Sequence, residues 1–433
     1  MTVVVDATVE IADAVARDLA GESLRAPARR AAFDALTCMV AGAARAPDRW
    51  AAVEPGAIGL IGTGRQGALL DAIGYNAATC HLLDRDDLHW SAVVHAGGIV
   101  WPVAFGVGEA AGATVGEVLD AGCVGYQVAV RMSRLLGPGH RRSFHATTTC
   151  GTVAAAAVAA ALSDGPSADL EGVMRAASSI IGGTRQALAE LSDTAVAHRA
   201  HAAVAGVVAA RFSGSTPVGR PLDGDVGFAT ATGIELDTGS LAEPASPAIA
   251  ETTVRSHPVS GFTHTMVDAL LSLPPADPRE VRSMRVEVPE AFLGADHRGV
   301  PTGVRHAKWH FATVAAVTAT GALAIEEFPW PLDGDVRDLA ERVQIVATSP
   351  PVGSIGARVT VDMIDGTTRI VTCEVPRGHP DDPLTDDELL RRSVELVAWP
   401  DEARARAVFD GLEHVDAPVA EFLAVAGGTV SSP

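Results

Sequence analysis

Fifteen residues from His81 to His95, HLLDRDDLHWSAVVH, hold three carboxylates (Asp84, Asp86, Asp87) and three imidazoles (His81, His89, His95). The sequence around them is apolar and rich in Ala and Gly. Charge this dense loses solvation when buried, so the stretch is either a solvated turn or a site. A carboxylate beside an imidazole is equipment for moving protons near neutral pH. Four more polar clusters interrupt the apolar pattern. They are Arg141, Arg142 and His145; His198, Arg199 and His201; Arg255, His257 and His264 within RSHPVSGFTH; and His306, Lys308 and His310. If they converge, one pocket holds both bases and carboxylate clamps. Abstracting a proton alpha to a carboxylate needs both: a base takes the proton, and cations hold the carboxylate while negative charge builds.

Each cluster also has a plainer reading. His198 and His201, three residues apart, fit an exposed helix face. Arg141-Arg142 fits plain surface, His145 a residue beside a helix cap, and Lys308 an ordinary surface lysine. His306 and His310 have the i,i+4 spacing of metal ligands, but no HExxH and no third ligand follows, so no metal is expected. Asp84-Arg85-Asp86-Asp87 spells the DxDD acid of class II terpene cyclases. Carbocations need aromatic walls, and two Tyr and six Trp in the whole chain do not supply them. GxGxxG at Gly62, Gly64 and Gly67 lacks a following strand–helix–strand unit, which argues against dinucleotide binding. No cofactor is expected.

The elements that must position these residues are mostly helices. The chain has 433 residues, 48% hydrophobic but only 4% aromatic, so its core must be built from Ala, Val and Leu on closely approaching helices. The net charge of −20 argues against nucleic-acid and anionic-membrane partners, and leaves a small-molecule substrate. Of the 33 basic residues only Lys308 is lysine, so an Arg in place of a Lys is weak evidence of altered chemistry. Five scattered cysteines without a CxxC pair fit a reducing cytosol. The N-terminus lacks a basic n-region, and the apolar runs are too short to span a bilayer, so a cytoplasmic location is expected.

Periodicity predicts helices over 8–20 (stopped by Gly21), from Pro27 and over 68–83, a long apolar segment follows over 97–111, and a further helix runs from a Thr114/Glu117 capping box to Gly137-Pro138. A polar, basic loop, GHRRSFHATTTCG, then leads into TVAAAAVAAAL, which only deep core suits. A helical pair follows over 168–212, then loops with short helices over 213–255. Alternation predicts strands at 283–288 and 341–348, and a hairpin about Asp365-Gly366. A helix over 303–326 lies between the first two strands. A Thr385/Glu388 capping box starts a helix to Trp399, and more helices run to about 423. The fold class is mainly α: a large helical domain (1–265 and 401–433) and a smaller α+β domain (266–400), with a cleft expected at their junction.

Eight segments, in order, resemble motifs of the MmgE/PrpD family, which includes 2-methylcitrate dehydratase, cis-aconitate decarboxylase and iminodisuccinate epimerase. They are FDALTCMVAGA, NAATCHLLDRDD, His95 with AGGIVWPVAFGVGEAAG, SFHATTTCGTVAAAAVAA, HRAHAAVAG, GFTHTMVDAL, AKWHFATVAAVTATGAL and DDPLTDDELLRR. The resemblance implies a helical domain with an α+β lid, a homodimer, metal-independent catalysis and a site between the domains. It places Asp84, His95 and His145 on site positions. His198 stands where relatives carry a site lysine, Arg255 near a second lysine, and Thr313 where a tyrosine is common. Leu88 replaces a usual Thr or Ser.

The resemblance thus implies a cofactor-independent lyase or isomerase acting on a small carboxylic acid. His145 or His95 is expected as base with the other as acid, Asp84 to orient an imidazole, and His198 as a further catalytic group. Arg255, Arg199, His201, His257, His264, Lys308, Thr313 and Asp87 are expected to contact substrate. Two rivals stand beside it: a non-catalytic binder with an altered pocket, and a biosynthetic cyclase or epimerase on a non-citrate substrate.

Overall fold

Alanine brings no side-chain entropy cost into a helix, and its small side chain lets two helix backbones approach closely. That property shapes the centre of this protein. The computed structural model describes residues 6–426 apart from 21–23, 164–168, 193, 214–218, 243–245, 325–326, 350–351 and 397. Gly21 lies outside the described residues. Two compact units are present, Met1–Thr253 with Leu389–Pro433, and Val254–Glu388. Their boundaries fall at 253/254 and 388/389 rather than near 265 and 400.

The first unit is helical: α1 (Ala7–Leu19), α2 (Arg25–Ala43), α3 (Leu69–His81), α4 (Gly97–Ala111), α5 (Val115–Ser143), α6 (Ala146–Ser163), α7 (Leu170–Ser178), α8 (Gln186–Ala189), α9 (Thr194–Arg211), α10 (Phe228–Thr232) and α11 (Gly239–Ala242). Its centre is α6, which packs against α4, α5, α7 and α9. This helix is long and apolar enough to cross a membrane, but 83% of it is buried inside the protein. Gly206 of α9 sets the closest approach: a Cβ there would lie 2.5 Å from the Thr152 carbonyl oxygen. A buried ion pair, Arg131 Nη2 to Asp18 Oδ2 at 2.5 Å, ties α5 to α1.

Two local expectations are corrected, and the GxGxxG stretch gains a definite form. The polar loop expected over GHRRSFHATTTCG is almost entirely helix, because α5 continues to Ser143 and α6 begins at Ala146. Gly137, at φ 65°, takes the non-helical conformation that Pro138 demands of the residue before it, and the helix resumes beyond the kink. The GxGxxG stretch is a hairpin of β1 (Ile58–Leu60) and β2 (Arg65–Gly67), with Gly62 (φ 84°) and Gly64 (φ 68°) in its turn. The helix expected over 303–326 is two: α13 (Val304–Trp309) and α14 (Phe311–Ala319) break at His310, whose extended backbone lets its ring cap α14.

The second unit also holds α12 (His264–Leu271), α15 (Gly334–Ala340) and a four-stranded sheet ordered β4-β3-β5-β6. The strands are β3 (Val281–Val288), β4 (Val343–Ala347), β5 (Ala357–Met363) and β6 (Thr368–Cys373). The expected Asp365-Gly366 turn joins the last two, with Gly366 at φ 91°. The chain is therefore mainly α with a smaller α+β part. The Thr385/Glu388 capping box opens α16 (Asp386–Glu395), followed in the first unit by α17 (Glu402–Gly411) and α18 (Val419–Ala426).

His140, on the last turns of α5, is fully buried, and its ring stacks on Phe144 with centroids 5.3 Å apart. Neither ring nitrogen has a hydrogen-bond partner among the described residues. Burial, then the nearby Arg141 charge, pushes its pKa down to about 4. The unfolded chain takes up that proton near pH 6.5, so this group contributes stability above pH 6.5 that is lost as pH falls toward 4. Urea unfolding should show the wild type losing about 3 kcal/mol more than His140→Leu between pH 7 and pH 4.

Candidate active site

The His81–His95 stretch is not a solvated turn. Arg85, Asp86, Asp87 and His89 are all buried. The loop leaves α3 at His81 and is pinned by short backbone bridges, Leu88 with Thr253 and His89 with Val94. The His89 ring lies 3.2 Å from Glu251, and the Trp90 indole donates to the Thr253 hydroxyl at 3.1 Å. Asp84 takes φ 57°, a conformation a non-glycine residue keeps only where its surroundings impose it.

Asp86 is the centre of a dry cluster. The His81 Nδ1 lies 3.0 Å from Asp86 Oδ1, and Arg199 Nη2 lies 3.6 Å from Asp86 Oδ2. A carboxylate only accepts, so His81 Nδ1 carries a proton and its Nε2 keeps a lone pair when the ring is neutral. That nitrogen is 3.8 Å from Asp84 Oδ1. Arg199 extends the cluster: its Nη1 donates to His145 Nε2 at 2.9 Å. The His145 proton is therefore on Nδ1, which faces the Thr148 hydroxyl at 2.8 Å and His198 Nδ1 at 3.2 Å.

Asp87 builds the adjoining wall. Its carboxylate accepts from the Tyr126 hydroxyl and, at 3.0 Å, from the Gly97 N–H at the start of α4. The Trp101 indole donates in turn to the Tyr126 oxygen at 3.0 Å. Gly97 has to be glycine here, since a Cβ would sit 2.8 Å from Asp87 Oδ2. So held, the Asp87 backbone carbonyl accepts from His95 Nδ1 at 2.5 Å. When neutral, the His95 ring thus carries its proton on Nδ1. The His81 and His95 ring centroids are 6.2 Å apart.

The electrostatics separate the two neighbouring carboxyls. Burial alone would raise Asp86, but the His81 and His95 imidazoles, the His81 hydrogen bond and the Arg199 guanidinium hold it well below the usual range. Burial pushes Asp87 up to about 7, against the pull of the Tyr126 hydrogen bond and with help from the Asp86 charge. Burial, then Arg199 and the neighbouring imidazoles, hold His145 well below an ordinary histidine and keep it neutral. His198 is lowered too, first by burial and then by Arg199. Paired groups with pKa values driven apart are a mark of acid–base sites.

Of the expected site residues, the first unit brings together Asp84, His95, His145, His198 and Arg199. Arg199 is 1% exposed and engaged with Asp86 and His145. Asp87 is likewise engaged by protein donors, so it supports the site rather than facing substrate. His201 is exposed on α9. The second unit carries the others. Arg255 is buried, and His257 pairs with Asp268 at 2.7 Å and stacks edge-on with His264. Lys308 is partly buried, with its carbonyl accepting from the Ser260 N–H. Thr313 bonds His310 Nδ1 at 2.7 Å, and both line a cavity of about 520 Å³. Among the described residues, no group of three His, Cys, Asp or Glu side chains is arranged to hold a metal ion.

From the sequence, His81 and Asp86 stood out only as members of the polar stretch, with no role of their own, and Tyr126 did not stand out at all. The clue for the first two lay in the pattern HLLDRDD, where a histidine ends a helix and the loop turns a carboxylate back onto it. Nothing in the sequence marks Tyr126, 39 residues away from Asp87.

A mainly helical domain that sets histidines against carboxylates and a guanidinium has the equipment of a proton-transfer enzyme. Residues 9–235, 227 of the 433, match the MmgE/PrpD N-terminal domain, and the chain belongs to the MmgE/PrpD family. No curated protein matches the sequence. The family includes dehydratases and related enzymes, which supports a function of lyase or isomerase type in general. Tyr126→Phe should lower stability by about 1–3 kcal/mol in urea unfolding at pH 8, because it leaves a buried Asp87 oxygen without its donor.

Proposed function

We propose that this protein is a cofactor-independent lyase or isomerase that removes a proton alpha to a carboxylate or carbonyl. One observation carries the reading: Asp86 and the Asp87 carbonyl fix the Nδ1 side of two imidazoles, His81 and His95, whose ring centroids lie 6.2 Å apart. One imidazole takes the alpha proton, and the C–H electron pair moves into an enolate. The other, protonated, then returns a proton. Delivered to a leaving hydroxyl, that proton completes dehydration; delivered to the opposite face of the carbon, it completes epimerisation. Decarboxylation uses the same protonation step after loss of carbon dioxide. This assignment moves the base from His145, whose Nε2 is capped by Arg199, to His81 or His95. His145 and His198 supply N–H donors, and Asp84 faces the His81 Nε2.

The substrate is a small carboxylic acid other than 2-methylcitrate. His198, Arg255 and Thr313 replace two amines and a phenol expected from relatives, and Arg255, His257, His264 and Lys308 remain as anion-binding groups. We also propose a homodimer, which sedimentation would test. The departures at 198, 255 and 313 favour one second reading, a biosynthetic isomerase acting on a carbonyl compound without that carboxylate.

Deuterium uptake from D2O at the alpha carbon, followed by NMR across di- and tricarboxylic acids, tests the reaction. Both His81→Asn and His95→Asn should slow exchange by about 10²- to 10⁴-fold. Calorimetric binding without exchange or turnover across the panel would identify a non-catalytic binder and sink the proposal.

A further inference from the structure

We propose that Arg392 is a positioning residue for this site, holding the backbone between Asp84 and Asp86 from the far C-terminal side of the chain. The inference rests on the proton-transfer reading above. Arg392 lies on α16, 307 residues after Arg85, and is 4% exposed. Its guanidinium faces Cys38 of α2 and reaches acceptors on both α2 and the loop. Nη1 pairs with Asp34 of α2, itself fully buried. Nη2 donates to the backbone carbonyl of Arg85 at 3.1 Å. That carbonyl belongs to the peptide whose N–H is Asp86, directly after the strained Asp84. Fixing one peptide plane therefore sets the direction in which both site carboxylates leave the chain.

Two arginines thus control Asp86: Arg199 approaches the carboxylate, and Arg392 holds the backbone behind it. Tying α16 to α2 requires only the Asp34 pair. The second arm of the fork serves the loop, and the planar guanidinium suits two acceptors at fixed angles better than an ammonium does. The sequence carried a hint, since Arg392 closes the DDPLTDDELLRR segment.

The test uses double-variant logic. Removing one partner of a buried ion pair is strongly destabilising, whereas replacing both by apolar groups of similar volume is close to neutral. Arg392→Met should therefore lower the melting temperature, and Asp34→Val with Arg392→Met should restore most of it. The double variant removes one charge of each sign, so any change at Asp86 reports geometry. The readout is the titration of Asp86 in protein labelled with ¹³C at aspartate carboxyls, its signal assigned by its loss in Asp86→Asn. The groups facing Asp86 are His81 and Cys80 from α3, His95, Arg85 and Asp87 from its own loop, Arg199 from α9 and Asp34 from α2.

In the folded double variant, Asp86 should protonate about one pH unit higher than in the wild type, a tenfold change, because its hold on His81 and Arg199 loosens. Where a substrate is in hand, kcat should fall at least tenfold with KM little changed. An Asp86 titration identical to wild type in the folded double variant would reduce Arg392 to a tie between helices and overturn the proposal. If the double variant does not fold, Arg392→Lys is read instead: a smaller upward shift supports the proposal and an unchanged titration overturns it. The NMR titration needs no substrate, so absence of alpha-proton exchange bears on the proposed reaction alone.

Discussion

A carboxylate with no water around it must find its solvation in the protein, and the site is arranged around meeting that demand at Asp86. The carboxyl is 1% exposed, yet it is held ionised. Its partners come from separate elements: His81 from the end of α3, Arg199 from α9, and His95 from the far end of the loop. None could be withdrawn without leaving charge uncompensated in a dry interior. The loop is therefore rigid for electrostatic reasons, and the three elements must dock in one arrangement.

The neighbouring carboxyl is governed by the same physics with the opposite result. Asp87 has a phenol and one backbone N–H in place of a guanidinium, and it feels the Asp86 charge. It sits near the point of protonation at neutral pH, and its backbone carbonyl orients His95. Adjacent residues of one type thus have different tasks. Asp86 fixes a charge and the tautomer of His81, while Asp87 anchors the loop and fixes the tautomer of His95.

His145 illustrates how a neighbour can change a residue's chemistry without changing its identity. An imidazole whose Nε2 accepts from a permanently charged guanidinium is a poor base, because protonation would break that bond and place two cations together. Its remaining N–H points toward Thr148 and His198. His198, a titratable group, is in contact with that N–H.

The helical plan was legible in the sequence because it rests on local rules. The period of α1, the Thr114 and Thr385 capping boxes, and the Asp365-Gly366 turn are all written within a few residues of where they act. So was the family, since its motifs are contiguous segments. The continuation of α5 past Pro138 was not legible, because it depended on Gly137 adopting a left-handed conformation and on burial of His140 beyond it. The site was half legible. Residue types and spacing marked the polar clusters and the family resemblance pointed to Asp84, His95 and His145 within them, but neither could say which nitrogen of each ring would carry the proton. That depended on Arg199, 54 residues from His145, on Tyr126, and on Arg392, 307 residues from Arg85. Proton positions are set by the nearest donor or acceptor in space, and only the packing of α3, α5, α9 and α16 decides which residue that is.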